Sequence, residues 1–209
     1  NNGLGMDVDI FNSNGKSLLD KKGELVCKNS FPSLPKRFWN DKKKQKYKKA
    51  YFNKFKNTWY HGDYAEKKKT GGYIIYGRSD ATLNPGGVRL GTAEIYSVVE
   101  SFEQIKESIC VGQSWKNDVR IILFVVLKKN YQLSSDLIKS IKVAIRKDAS
   151  PRHVPAKIIQ VDDIPRTKNG KIVELAVKNI IEGISIKNKQ ALANPESLNL
   201  FRKLDVLMY

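Results

Sequence analysis

The chain has 209 residues, 41% of them hydrophobic, which is enough for one large domain or two small ones with packed cores. The formal net charge is +17, and the chain has 30 lysines and only 8 arginines. Because nucleic-acid-binding proteins rely on arginine for bidentate contacts to bases, this excess of lysine favours a solvated surface over a nucleic-acid-binding one. No apolar run approaches the roughly 18 residues that cross a bilayer, so a membrane-spanning helix is not among the expected elements.

Residues 1–79 are predicted to form a β-rich domain with one helix. Alternating or apolar segments bounded by turn residues predict four strands, at 6–11, 23–27, 59–65 and 73–77. Between the second and third strands, Asp41 can cap a helix that extends to Phe55, with aromatic residues on one face and lysines on the other. The pattern changes near Asp80, where this domain is expected to end.

Residues 80–184 alternate helices and strands, which predicts a second domain and an α+β fold. Apolar residues at helical spacing predict helices over 94–102, 134–145 and 173–181, with strands over 107–111, 119–127 and 156–161. The strand 119–127 is apolar on both faces and is expected at the centre of a small mixed sheet covered by helices. Residues 185–209 are predicted to be an amphipathic helical tail that packs back through Leu198, Phe201, Leu204 and Leu207.

The cysteines and the first residues of the chain bear on its compartment. Cys27 and Cys110 lie in apolar strand-like segments without metal-ligand spacing, which predicts buried free thiols of a reducing compartment and hence a cytoplasmic protein. Only two histidines are present, so no histidine-built metal site is expected. The sequence starts at Asn1 without a signal-like segment or an initiator Met, which indicates a truncated or processed chain.

Three loop segments combine glycine with charged residues, and functional residues concentrate on such loops. In the first, Gly62-Asp63 stands at a strand end, where a carboxylate can accept two hydrogen bonds from a ribose diol. The spacing alone favours a plain turn residue at Asp63. The segment is therefore a candidate nucleotide site only in combination with the other two.

The second segment, residues 77–91, is a turn-dense loop with four glycines and a proline. Gly86-Gly87 would let a ligand approach the backbone closely, and Arg78 and Arg89 offer forked donors to phosphate or ribose oxygens. A hairpin with solvated arginines fits the same pattern. Glu94, just beyond, is expected to cap a helix rather than to act as a catalyst.

The third segment, residues 162–171, leads into the last predicted helix. A lysine after Gly170 at the end of a turn can be delivered into a cleft as a mobile point charge that stabilises a transferring phosphoryl or adenylyl group. Taken alone, Lys171 is one lysine among 30, and a surface turn explains it equally well.

The order and wording of these segments resemble the adenylate-forming acyl-CoA synthetase superfamily. The matching motifs are a Gly-Glu-Leu strand at 23–25, Gly-Asp at 62–63, Gly-Arg-x-Asp at 77–80 and Pro-x-Thr-x-x-Gly-Lys at 165–171. The resemblance covers essentially the whole chain. The stretches 38–41, 59–63, 83–96, 150–155 and 191–195 resemble the acetoacetate-activating branch in particular.

The resemblance implies an acid–thiol ligase that uses Mg-ATP to convert acetoacetate to an acyl-adenylate and pyrophosphate, after which CoA displaces AMP to give acetoacetyl-CoA. It implies that residues 1–79 are the β-rich C-terminal part of the large adenylate-forming domain, and that residues 80–184 are the small mobile C-terminal domain. The small domain would rotate between the two steps, which is a known form of conformational gating.

The same resemblance implies roles for particular residues, which fall into four groups. They are Lys171 as the catalytic residue of adenylation; Asp63, Arg78 and Arg89 for ATP and AMP; Asp80 as the hinge; and Gly86, Gly87, Arg146 and Arg152 for CoA. His61 departs from the threonine common before Gly-Asp in the superfamily, although it suits the acetoacetate branch.

The phosphate-gripping loop, the adenine pocket and the acyl pocket of the superfamily belong upstream of Asn1. The 209-residue chain alone is therefore expected to lack ligase activity, and residues 1–78 are expected to expose a face where the rest of the large domain packs. Three alternatives stay open. They are a synthetase for acetate or another short-chain acid, a basic nucleic-acid-binding protein, and a non-catalytic partner module.

Overall fold

A computed structural model describes residues 2–186, 189–202 and 204–208, with His61 described by its backbone alone. The chain divides into two compact units, Asn1–Asp80 and Ala81–Tyr209. Each unit has its own sheet, of four strands in the first and three in the second. The α+β class predicted from the sequence is confirmed.

The first unit is an antiparallel sheet in the order β1-β2-β3-β4, with one short helix. Its elements are β1 (Val8–Phe11), β2 (Lys22–Cys27), α1 (Gln45–Tyr51), β3 (Trp59–Lys67) and β4 (Tyr73–Arg78). All four predicted strands are present. The pairing of β3 with β4 is the part that matters for function, because it sets the Gly-Asp motif beside the following Gly-Arg motif.

The helix α1 is shorter than the predicted span of 41–55. Lys44, just before it, has left-handed backbone with φ of 53°, so the helix cannot extend further toward Asp41. Asp41 still acts as its cap, because its Oδ2 accepts the N–H of Tyr47 at 2.8 Å. Aromatic stacking fixes the helix to the sheet: the rings of Tyr51 and Trp59 lie 3.9 Å apart and nearly parallel.

The second unit is a mixed sheet with helices on its faces. Its regular elements are α2 (Thr92–Val99), β5 (Ile105–Trp115), β6 (Asp118–Leu127), α3 (Ser135–Asp148), β7 (Lys157–Gln160) and α4 (Glu174–Ile181). Strand β6 is central, antiparallel to β5 and parallel to β7. The predicted cap of α3 is confirmed, because Ser134 accepts the N–H of Leu137 at 3.1 Å.

Two apolar cores lie on opposite faces of β6. Ile121, Leu123 and Val125 belong to a core shared with α2 and α3, whereas Ile122, Phe124 and Val126 belong to a core shared with α4 and the tail. Successive side chains of a strand point to opposite faces, so a strand buried on both sides must be apolar throughout. The predicted central position of this strand is confirmed.

The tail after residue 184 packs back onto the second unit as predicted, and its described helical segments are 3-10 helices. They comprise Lys189–Ala191, Pro195–Phe201 and Asp205–Leu207. The apolar positions 198, 201, 204 and 207 recur every three residues, the period of a 3-10 helix. Phe201 is buried edge-to-face against Phe124, with ring centroids 4.9 Å apart. The remaining predicted tail residues, 187, 188, 203 and 209, lie outside the described part.

Across the described ranges, none of the helices is long and apolar enough to cross a bilayer. Over the same ranges, no cluster of three His, Cys, Asp or Glu side chains is arranged to hold a metal ion. Both cysteines are free and buried, as predicted. Burial raises the pKa of the Cys110 thiol, and the charge of Glu174 raises it further, so Cys110 is a neutral core residue.

Candidate functional site

In the first unit, the sheet register brings the Gly-Asp motif to the Gly-Arg motif. Asp63 on β3 is paired with Arg78 on β4, and the Arg78 Nη1 lies 3.7 Å from the Asp63 Oδ1. The preceding Gly62 has φ of 91°, and a Cβ there would lie 3.0 Å from the Arg78 Nη2. Glycine therefore suits both the left-handed backbone and the narrow space beside the guanidinium.

Asp80 joins the same cluster from the end of the unit. Its carboxylate lies 3.3 Å from the Arg78 Nη2 and accepts a bond from Nε at 3.4 Å. Burial lowers the pKa of Arg78, but the hydrogen bond and charge of Asp80 and the charge of Asp63 outweigh it, so the net shift is upward. Three residues predicted separately, Asp63, Arg78 and Asp80, are thus brought together as one guanidinium between two carboxylates.

Glu24 supports this cluster; it lies in the Gly-Glu-Leu motif, although it was not predicted to be a site residue. It is buried, forms an ion pair with Lys54 at 2.5 Å and accepts the hydroxyl hydrogen bond of Ser79. The neighbouring Gly23 has no room for a side chain, since a Cβ would lie 2.5 Å from the Phe11 carbonyl oxygen. The Gly-Glu motif of β2 therefore anchors the segment that follows Arg78.

In the second unit, Lys171 ends a tight turn. Two other residues of its motif, Thr167 and Gly170, fix the backbone of this turn. The Thr167 N–H donates to the Lys171 carbonyl at 2.8 Å, and the Lys171 N–H donates to the Thr167 hydroxyl at 3.1 Å. Gly170 has φ of 78°, in the left-handed region that favours glycine. The side chain of Lys171 is exposed, so the turn presents a cation to solvent on a defined backbone.

Arg166 fastens this turn to the sheet. Its Nη2 lies 2.5 Å from the Oε2 of Glu107 on β5, and its Nη1 donates to the Gly170 carbonyl at 3.1 Å. One guanidinium therefore contacts both the sheet and the residue before Lys171. Neither Arg166 nor Glu107 was identified from the sequence as a site residue.

The glycine loop 85–87 is a short 3-10 turn in which both glycines adopt left-handed backbone, with φ of 57° at Gly86 and 74° at Gly87. The Gly86 N–H donates to both carboxylate oxygens of Asp118, at 2.9 and 3.1 Å. Hydrogen bonds from the Val119 and Gly86 N–H groups lower the pKa of Asp118, which keeps this acceptor ionised. Asp118, on the hairpin between β5 and β6, was missed from the sequence because it lies 32 residues away.

The three arginines of the second unit that were predicted to be site residues do not all lie close together. A Cβ on Gly86 would lie 3.4 Å from the Arg152 Nη1, so Arg152 borders the glycine loop. Arg89 lies at the base of that loop and donates from Nε to the Thr82 hydroxyl at 3.0 Å. Arg146 is exposed in the last turn of α3, on a different element.

His153 fastens the turn that carries Arg152, a role that the sequence did not indicate. It is buried, with its Nδ1 2.8 Å from the Ser150 hydroxyl and its Nε2 3.3 Å from the Glu94 carboxylate. Glu94 also accepts the Gly91 N–H at the start of α2, which confirms the capping role predicted for it. The turn that carries Arg152 is thereby tied to α2.

A cavity of about 640 Å³ lies in the second unit between the glycine loop and the hairpin of β5 and β6. Asn84 and Gly87 line one side, and residues 114–119 line the other. Trp115 stands in this hairpin with the guanidinium of Arg120 stacked 3.6 Å from its ring centroid. The cavity is mixed in polarity, with backbone, aromatic and charged groups along its walls.

The second unit thus combines a small mixed sheet between helices with a lysine turn and a paired-glycine loop. Residues 94–171 match the family model of the AMP-binding enzyme C-terminal domain. This segment lies within the second unit, and the chain as a whole is similar to acyl-CoA synthetases in sequence and in fold.

The relatives point to one branch of this class. The chain is 58% identical over 205 residues to a protein of Rhizobium meliloti (strain 1021) named acetoacetyl-coenzyme A synthetase, and this covers 98% of the chain and 32% of that protein. It is 48% identical over 206 residues to the acetoacetyl-CoA synthetase of Xenopus tropicalis, with 98% and 31% covered. The chain thus spans about a third of the length of these curated relatives.

The comparison with solved structures also finds a similarity to an acetoacetyl-CoA synthetase. The acetoacetyl-CoA synthetase from Streptomyces lividans superposes with a TM-score of 0.91 and 37% identity, over 99% of this chain and 32% of that one. A benzoate CoA ligase from Burkholderia xenovorans LB400 superposes with a TM-score of 0.71 and 26% identity, over 84% of this chain and 34% of that one. The likeness is therefore greater to the first of these two ligases than to the second.

Proposed function

We propose that this chain forms part of an ATP-dependent acid–thiol ligase that converts acetoacetate and CoA to acetoacetyl-CoA, with release of AMP and pyrophosphate. The observation that carries this proposal is the 58% identity, across 98% of the chain, with the Rhizobium meliloti protein named acetoacetyl-coenzyme A synthetase. Because the relatives are about three times as long, the activity is proposed for a ligase that contains this chain together with a large adenylate-forming domain.

In the first half-reaction, a carboxylate oxygen of acetoacetate attacks the α-phosphorus of ATP, and the bond to pyrophosphate breaks. Negative charge develops on the phosphate oxygens, and the ammonium of Lys171 stabilises that charge. The support for this role is the exposed position of Lys171 on a turn whose backbone is held on both sides. Asp63 accepts hydrogen bonds from the ribose hydroxyls while Arg78 donates beside it.

Magnesium enters with the nucleotide as part of the substrate. The ion neutralises phosphate charge when bound to ATP.

In the second half-reaction, the sulfur of CoA attacks the carbonyl carbon of the acyl-adenylate, and the bond from that carbon to the AMP oxygen breaks. Gly86 and Gly87 let the pantetheine arm pass, because neither presents a side chain and the space beside Gly87 is open to 4 Å. We assign Arg152 and Arg146 to the CoA phosphates and Arg89 to the phosphate of AMP.

One cleft can serve both half-reactions if the small domain turns between them. We propose Asp80 as the hinge, with residues 1–79 in the large domain, 80–184 in the mobile domain and 185–209 as the tail. The division of the chain into compact units at Asp80 and Ala81 supports this assignment. Rotation would withdraw Lys171 after adenylation and bring in the glycine loop. We also place the ligase in the cytoplasm, in keeping with its two free, buried cysteines.

The decisive experiment measures AMP release by the intact ligase with ATP, CoA and either acetoacetate or acetate. Wild type is compared with Lys171→Ala and with Lys168→Ala, an exposed lysine of the same turn that serves as the matched control. We expect a preference for acetoacetate, loss of turnover in Lys171→Ala and near-normal turnover in Lys168→Ala. Preference for acetate would overturn the substrate assignment, and equal activity of the two variants would overturn the role of Lys171.

A further inference from the structure

The tail of the second unit pairs with the turn that carries Lys171. The Lys168 N–H donates to the Ala191 carbonyl at 3.2 Å, and the Ala193 N–H donates to the Arg166 carbonyl at 2.8 Å. Between these bonds, Thr167 and Leu192 form an antiparallel bridge. Residues 191–193 therefore act as a short added strand along one arm of the turn.

Asn194 closes this pairing with its side chain. Its Oδ1 accepts the Arg166 N–H at 2.8 Å, and its Nδ2 donates to the Asp163 carboxylate at 2.6 Å and to the Ile164 carbonyl at 2.9 Å. One amide thus bonds residues 163, 164 and 166 of the approach to the turn. Pro165, which lies among them, has no N–H to donate. Alanine at position 194 would supply none of these bonds.

We propose that Asn194 is a positioning residue for Lys171, acting through Arg166. The backbone of Arg166 is held by Asn194, and the side chain of the same residue donates to the carbonyl of Gly170, directly before Lys171. Release of the Arg166 backbone would therefore shift the guanidinium that fixes Gly170. A charge that stabilises a transition state loses most of its effect when displaced by about 1 Å.

The tail is attached to the sheet at a second point, so the segment that carries Asn194 is itself held in place. The carbonyl of Leu207 accepts hydrogen bonds from the Arg120 Nη2 at 2.6 Å and from the Gln113 Nε2 at 3.3 Å. Between the two anchors, Phe201 is buried against Phe124. The tail is thus a strap across one face of the sheet, attached to the lysine turn at one end.

The contact itself is tested by hydrogen exchange on the intact ligase, without reference to activity. Asn194→Ala should accelerate exchange of the amides of Arg166, Lys168 and Ala193. Asn199→Ala is the matched control, because Asn199 is exposed in the same tail and its side chain makes no bond to the turn among the described residues. Unchanged protection in Asn194→Ala would overturn the proposal at its first step.

The positioning role rests on the proposed function and is tested by separating the half-reactions. Adenylation is measured as acetoacetate-dependent exchange of pyrophosphate into ATP, and thioester formation as AMP release from supplied acyl-adenylate and CoA. We expect Asn194→Ala to slow adenylation roughly 10- to 100-fold through kcat, with KM for ATP and the thioester step unchanged. In the Lys171→Ala background, the same change should have no further effect.

Each outcome decides the matter. Equal losses in both half-reactions would reduce Asn194 to a structural residue, and an unchanged adenylation rate would overturn the proposal outright. Absence of adenylation by the wild-type ligase would count against the proposed function alone, since hydrogen exchange tests the contact between Asn194 and the turn independently. If Asn194→Ala does not fold, Asp163→Ala removes one of the three bonds and should give a smaller loss in the same direction.

Discussion

Glu107 and Arg166 form an ion pair, 2.5 Å from Oε2 to Nη2, that joins strand β5 to the turn bearing Lys171. Both side chains are about three-quarters buried, so solvent screens the pair less than it would a surface pair. The structure of the lysine turn therefore depends on a carboxylate 59 residues before Arg166 in the sequence.

We expect Glu107→Gln to lower the free energy of unfolding of the second unit by about 1 to 2 kcal/mol, because a charge-assisted hydrogen bond becomes a neutral one. Native-state hydrogen exchange of the β5 and 166–172 amides measures this. Glu103→Gln changes the same residue type at an exposed position and should have little effect. Equal protection in the two variants would argue that the pair contributes nothing.

Arg78 lies between Asp63 and Asp80, which makes its forked shape as important as its charge. Arg78→Lys keeps the charge but cannot form two parallel bonds to a carboxylate or a ribose. We expect KM for ATP to rise about tenfold in the intact ligase, with a smaller change in kcat, as measured by pyrophosphate exchange. Arg37→Lys, at an exposed position of the same unit, should behave as wild type. An unchanged KM in Arg78→Lys would remove Arg78 from the nucleotide site.

Asp9 gives the first unit a stability that depends on pH. Burial raises its pKa, but hydrogen bonds from Ser17 at 2.6 Å and the Ile10 N–H at 2.9 Å, with Lys28 nearby, lower it below the ordinary 3.8. A lowered folded pKa means that the stabilisation is present above pH 3.8 and is lost as the pH falls through the folded pKa.

Urea unfolding between pH 2.5 and 6 should therefore show a loss of first-unit stability below about pH 4 that Asp9→Asn reduces. It is followed through the fluorescence of Trp39 and Trp59 in a Trp115→Phe background, because Trp115 lies in the second unit. Asp20→Asn alters an exposed carboxylate of the same unit, whose contacts are with Lys69, and should change the profile less than Asp9→Asn does. Identical profiles for wild type and Asp9→Asn would contradict the assignment.

Local patterns in the sequence were sufficient for the strands and for the glycines, whereas helix α1 was predicted too long. The strand 119–127 is apolar on both faces, and this alone predicts a central strand between two cores. Gly62 and Gly170 occur where the backbone is left-handed, so the motifs that contain them report real conformational requirements. The tail was predicted to be helical without a helix type, and its spacing of three residues fits the 3-10 helices that the structure has there.

The supporting partners could not be predicted, because they depend on which elements become neighbours. Asp118 caps Gly86 across 32 residues, and His153 reaches Glu94 across 59. Asn194 bonds Arg166 across 28. A hydrogen bond between distant residues leaves no periodic trace in one sequence, so the side chains that hold the candidate site were found only from the structure.

Gly87 allows the CoA passage to be tested with a closely matched control. Gly87→Ala introduces a methyl group at φ of 74°, beside a space with no atom within 4 Å, so the backbone strain is about 1 to 2 kcal/mol without a clash. Gly71→Ala imposes the same strain at φ of 84°, again with nothing within 4 Å, on the hairpin between β3 and β4.

If the pantetheine arm passes Gly87, the methyl group introduced by Gly87→Ala narrows the path of CoA, whereas the one introduced by Gly71→Ala does not. KM for CoA should then rise and the thioester half-reaction should slow in Gly87→Ala, while adenylation by both variants stays at the wild-type rate. Matching kinetics of Gly87→Ala and Gly71→Ala in the thioester half-reaction would mean that the CoA path lies elsewhere.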